Sequence, residues 1–196
     1  MAHPRYSGVL ARADLDSFAL GEQPAPAHGY EPPPLSSELQ ILSTADEVRD
    51  ATNQIAGNAH RLISICTPDM EPAIYDQPAF LETVKRFVLG RAFGKVRVLV
   101  RDSARMNASN NRFVSMARRL TNYLEIRLLP QEMHQQTAAY CIADDLAVIY
   151  RLRADRWDGV SSLNNPPAAQ HFLQLFDAGW IGSSTNQQQQ QRVSNG

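Results

Sequence analysis

Between residues 44 and 182 the apolar positions change their period several times, and each change marks an element. Val48, Ala51, Ile55 and Ala59 recur at helical spacing. They follow Thr44-Ala45-Asp46-Glu47, where a hydroxyl with Glu three residues on predicts a reciprocal cap. Leu62-Ile63-Ser64-Ile65-Cys66-Thr67 is a compact apolar run stopped by Pro68, and predicts a strand. Gln77-Pro78 places proline at a first helical position. Phe80, Leu81, Val84, Phe87 and Val88 form the stripe behind it, and Gly90 ends it. Lys95 to Arg101 predicts a second strand. Phe113, Val114, Met116, Ala117 and Leu120 predict a third helical face, and Leu124 to Leu129 a strand. Ala138 to Ala143 and Leu146 to Leu152 predict two more strands, joined at Asp144-Asp145. Asn165-Pro166-Pro167 caps a last helix carrying Phe172, Leu173, Phe176 and Trp180.

Strands alternating with helices imply parallel crossovers, and the late strand-turn-strand implies an antiparallel hairpin. The expected fold is α/β, a mixed and mostly parallel sheet flanked by helices, occupying residues 36–182. Residues 1–35 read as an unstructured proline-rich arm, since the five prolines between Gln23 and Pro34 remove donors and fix φ. Residues 183–196, with five consecutive glutamines, read as an unstructured tail.

Composition narrows the class. The longest apolar runs are a few residues, far short of the ~18 that span a bilayer, and the N-terminus has no apolar leader segment. A soluble, cytoplasmic protein is expected. Cys66 and Cys141 both sit in strand-like runs and read as buried free thiols. Net charge is −1 but uneven: residues 1–84 carry 4 basic and 12 acidic side chains, and residues 85–156 carry 14 and 6. All the central cations except Lys85 and Lys95 are arginine, whose planar fork suits phosphate or carboxylate. The bias alone is also what solvated helix and strand edges would give.

Familiar active sites are missing. Gly90 and Gly94 stand between a helix and a strand, the reverse of the strand-glycines-helix order that cradles phosphate, and read as a helix stop and a turn. Asp69 and Glu71 lie where α/β folds place ligands, but Pro68 and Pro72 flank them as in a turn. The five histidines show no metal spacing, and no Gly-x-Ser-x-Gly occurs. Arg105, Arg112, Arg118 and Arg119 give a basic helical surface without an accompanying aromatic platform.

The core text "RLISICTPDMEPAIYD", "GKVRVLVRD" and "TAAYCIADDLAVIYR", closed by "FLQLFDAGW", resembles one half of a phospholipase D-like domain, in particular small bacterial members of that superfamily. In active members a His-x-Lys-x-x-x-x-Asp strand supplies the nucleophile and a phosphate-binding cation. With Asp144 at the Asp position, the resemblance places Thr137 at the His and Ala139 at the Lys. With Asp145 it places Ala138 and Tyr140. Neither register supplies either group. Ser161-Ser162-Leu163-Asn164 faintly resembles the family's Gly-Ser-x-Asn, further downstream than usual.

The resemblance therefore implies a module that binds rather than cuts, and a homodimer, because full enzymes of the superfamily unite two such halves; no cofactor is expected, and the absence of metal-ligand spacing argues against a metal. The expected partner is an anionic small molecule or nucleic acid. The candidate ligand residues are Arg97, Arg101 and Arg151, on or beside core strands, with His134 and Asp144. One alternative is a phosphodiesterase using a non-standard site, in which His134 reaches Asp144 or Asp145. The other is a regulatory adaptor tethered through its arms.

Overall fold

The computed structural model describes residues 39–194, with side chains through Ser183. The expected arm at 1–35 lies outside the described residues.

Seven strands form one sheet: β1 (Gln40–Leu42), β2 (Leu62–Thr67), β3 (Lys95–Val100), β4 (Leu124–Leu128), β5 (Ala139–Ala143), β6 (Ala147–Arg151) and β7 (Gly159–Ser162), in the order β1-β7-β6-β5-β2-β3-β4. The helices are α1 (Ala45–Gly57), α2 (Pro72–Tyr75), α3 (Pro78–Gly90), α4 (Ser103–Ala108), α5 (Arg112–Arg119) and α6 (Pro166–Ser194). The mixed α/β architecture is as the pattern predicts. The expectation of a mostly parallel sheet is corrected: only β2·β3 and β3·β4 are parallel, and the other four pairings are antiparallel. The reason is that only the helices α3 and α4–α5 cross between paired neighbouring strands. Everything from β5 to β7 is joined by short turns that return the chain on itself.

Local chemistry fixes the boundaries. The Thr44 hydroxyl accepts from the Glu47 amide at 3.2 Å, and the Glu47 carboxylate accepts from the Thr44 amide at 3.0 Å, which closes the predicted cap of α1. The Asn111 side-chain oxygen Oδ1 caps α5, accepting from the Phe113 amide at 2.8 Å. The turn from β5 to β6 takes three residues rather than two, since Ala143 pairs with Ala147, and Asp144 occupies the left-handed region at φ 57°. Helix α6 runs through Ser194, past the expected boundary at 183.

Period two along the strands divides the sheet into two faces. Ile63, Ile65, Val96, Val98, Val100, Leu124, Cys141 and Ile149 meet Val48, Ile55, Phe80, Val84 and Phe113 from α1, α3 and α5. Burying each of the larger of these side chains stabilises the fold by about 1.5–3 kcal/mol. The other face is covered by α6. Phe172 stacks on Tyr150 at 4.4 Å and lies 5.4 Å from the Tyr140 ring. At Gly179 a Cβ would come within 3.0 Å of Leu99 and 3.2 Å of the Met133 sulfur, so only glycine lets α6 approach this closely.

The sheet has two ends. The C-terminal ends of β2, β3 and β6 and the start of β5 lie together at one. The starts of β2, β3 and β6 lie at the other.

Candidate functional site

The strand end that the resemblance singles out is built from Thr67, Ala139 and Arg151. Ala139 pairs with Arg151 across β5 and β6, so both face α1. Arg151 is only 2% exposed. Its guanidinium bonds to the Glu71 carboxylate, donates to the Ala154 and Arg156 carbonyls at 2.9 Å each, and lies 5.3 Å from the Trp157 ring. Glu71 is also buried, and accepts from the Thr67 hydroxyl at 3.0 Å. Met70, just before it, holds φ 65°, a strained value for a residue with a side chain. The Met70 carbonyl is pinned by the Asn111 amide group at 3.0 Å. Burial raises the Glu71 carboxyl above its ordinary value, and the Arg151 guanidinium pulls it part of the way back.

The loop from Leu152 to Asp158 folds over this end. Thr137 donates its hydroxyl to the Leu152 carbonyl at 3.1 Å, and the Ala154 amide donates to the Thr137 carbonyl at 2.8 Å. Beneath, a cavity of about 10 Å³ is lined by Thr52, Tyr75, Ala139, Ile149 and Arg151 among others, room for about one water. Thr137 and Ala139, the pair singled out by the resemblance, are thus a hydroxyl turned to backbone and a buried methyl group.

The remaining candidates are dispersed. Arg101 reaches the Gln136 carbonyl at the end of β3, and no carboxylate pairs with it among the described residues. Arg97 faces α6, 2.9 Å from the Asp177 carboxylate and 3.2 Å from the Ser64 hydroxyl, with Phe176 and Trp180 against its guanidinium at 4.9 and 5.4 Å. The His134 Nε2 is 2.8 Å from the Leu129 carbonyl. Asp144 lies at the opposite end of the sheet, accepting from the amides of His60, Arg61 and Leu62 at 2.8, 2.8 and 2.9 Å. The rise of β5 alone separates it from Thr137 by roughly 20 Å. The structure does not bring His134 to Asp144, and it seats Arg97 and Arg151 against carboxylates of the same chain.

Glu71 is the residue that sequence reasoning passes over. Its position beside two prolines reads as a turn, and nothing in the text ties it to Arg151. Both cysteines are buried and free. Burial pushes the Cys66 thiol up to about 11, an effect that a hydrogen bond with Tyr140 and then the charge of Arg101 partly offset, and the Cys141 thiol up to about 12. Among the described residues no group of three His, Cys, Asp or Glu side chains is placed to hold a metal ion, and no helix is long and apolar enough to cross a membrane.

Residues 44–191 match the sequence family described as "Domain of unknown function (DUF7931)". The chain belongs to this family. Among solved structures, this DUF7931 domain is similar in fold to TrmBL2, an archaeal chromatin protein, with a TM-score of 0.54 at 14% identity over 76% of this chain and 54% of that one. It therefore spans about half the length of TrmBL2. NucT from Helicobacter pylori matches with a TM-score of 0.44 at 14% identity, over 74% of this chain and 96% of that one. No curated protein matches the sequence.

Proposed function

We propose that this DUF7931 domain is a non-catalytic, phospholipase D-like binding module whose partner carries phosphate, nucleic acid being the class best supported. The observation that carries the reading is the pair Thr137 and Ala139 at the positions where the resemblance expects a nucleophilic histidine and a phosphate-binding lysine. The Thr137 hydroxyl is engaged with the Leu152 carbonyl, and a buried methyl group offers no charge. The cation that does sit there, Arg151, is neutralised by Glu71 and enclosed by the Leu152–Asp158 loop. The excess of arginine over acid between residues 85 and 156 supports an anionic partner. The related fold of TrmBL2, a chromatin protein described as binding DNA, points the same way. Pairing of two copies through one face belongs to the same reading, as the superfamily's enzymes join two halves.

Two measurements test this. Purified protein incubated with bis-p-nitrophenyl phosphate and with plasmid DNA is expected to give no turnover above buffer. Turnover abolished by Thr137→Ala would overturn the non-catalytic reading. Fluorescence anisotropy with labelled oligonucleotide at low salt is expected to show binding that weakens steeply as salt rises. Absence of binding would remove the nucleic-acid partner.

A further inference from the structure

The opposite end of the sheet carries a surface that the motif does not touch. Strands β2 and β3 begin there, and helices α3 and α5 end there. The topology consequently gathers Arg61, Arg86, Arg91, Lys95 and Arg119 around one end of the molecule, all of them exposed. Three of these, Arg86, Arg91 and Arg119, have no carboxylate partner among the described residues. Lys95 lies 5.5 Å from the Tyr123 ring and donates to the Asn122 carbonyl, which leaves its charge unneutralised. Arg61 has Asp145 at 4.0 Å. Against these five cations the same region carries three acids: Asp144, Asp145 and Glu82, which stands one turn up α3 from Arg86, so positive charge remains in excess.

Within this ring of cations the turn between α3 and β3 presents bare apolar surface. Phe93 is 85% exposed and Leu89 60%. The turn itself is seated: the Gly94 amide donates to the Arg91 carbonyl at 3.2 Å, and a Cβ on Gly94 would lie 3.2–3.3 Å from the Phe87 carbonyl and ring. A fixed turn therefore holds an aromatic ring in solvent, flanked in sequence by Arg91 and Lys95. An exposed ring with arginine and lysine on either side of it in sequence combines a stacking face with cationic groups.

We infer that this end of the sheet binds single-stranded nucleic acid, with phosphates on the arginine forks and an unpaired base stacked on Phe93. The inference rests on the phosphate-bearing partner proposed above and deepens it by moving the contact away from the motif strand. Charge complementarity selects a polyanion, and arginine outnumbers lysine four to one in the cluster, which suits bidentate phosphate contacts. The bare ring selects a strand whose base faces are open, since a duplex hides them.

The test uses the full chain and a fluorescein-labelled polythymidine oligonucleotide at low salt, with circular dichroism to show that each variant is folded. Arg91→Glu combined with Arg119→Glu is expected to weaken binding about tenfold or more. Phe93→Ala is expected to weaken it about fivefold or more on the single strand and to leave duplex binding unchanged. Arg153→Glu, a charge reversal at the far end, is expected to change affinity less than about twofold. Wild-type binding that survives the first two changes would overturn this surface while leaving the phosphate-bearing partner standing. No wild-type binding would overturn both. Binding to phosphatidylserine vesicles without binding to the oligonucleotide would also overturn it, by identifying the surface as a lipid contact.

Discussion

Arg151 and Glu71 meet across 80 residues of chain, tying the end of β6 to the loop that follows β2. The two charges leave water together, and each is bonded further: Glu71 by Thr67, Arg151 by two carbonyls and the face of Trp157. A pair of this kind adds little net stability over apolar side chains of the same shape, but losing one member strands the other.

Arg151→Ala or Glu71→Ala is therefore expected to destabilise the domain by about 3–5 kcal/mol, read as a shift in the urea midpoint. The double change Arg151→Met with Glu71→Leu is expected to cost less than either single change. A double variant that loses the sum of the two would show that the groups do not act as a pair.

The carboxyl of Glu71 also sets a pH dependence. Burial raises it above its ordinary 4.5, so the folded chain keeps this proton to higher pH than the unfolded chain. The stabilisation it contributes is complete below the unfolded value and is lost as pH rises from about 4.5 through the folded value. Urea unfolding across that window is expected to show wild type losing stability relative to Glu71→Gln as pH increases. A difference that is flat, or that widens in favour of wild type, would contradict the assignment.

Asp144 acts on backbone. Its carboxylate accepts three amides at the start of β2, and its φ of 57° suits aspartate or asparagine better than alanine. Asp144→Ala is expected to cost about 2–4 kcal/mol, and Asp144→Asn distinctly less, since it keeps one acceptor oxygen and the backbone preference. Thermal unfolding of the two variants side by side separates this role from a ligand role, in which stability would be unchanged.

The thiols offer a check on burial. With Cys66 raised to about 11 and Cys141 to about 12, neither supplies thiolate near neutral pH. Ellman's reagent at about pH 8 is expected to label the native protein slowly and the urea-unfolded protein at once. Rapid labelling of one cysteine in the native state would place it on the surface.

The long elements are legible in the sequence because their apolar residues repeat at one period and their caps are local. Thr44 and Glu47 announce α1, and Pro78 announces α3, with no knowledge of the rest of the chain. Strands β1 and β7 are not legible: at three and four residues they are too short to show a period, and they exist because β1 pairs with β7 and β7 with β6. The same division holds at the sites. Arg151 is visible as a cation on a strand, but its partner lies 80 residues away and its burial depends on the loop over it. Phe93 is hidden for the opposite reason, since the glycines around it read as a helix stop and a turn, and only the fold shows that the ring is bare.

Strand β1 has a practical consequence. The family match begins at residue 44, beyond Leu42, yet β1 supplies the outer hydrogen-bonding partner of β7. A recombinant fragment cut at the family boundary would strip that partner and leave β7 as a raw border, open to pairing with the same border of another molecule. Expression that starts upstream of Gln40 keeps that border covered, and light scattering of the two fragments is expected to show more self-association in the shorter one.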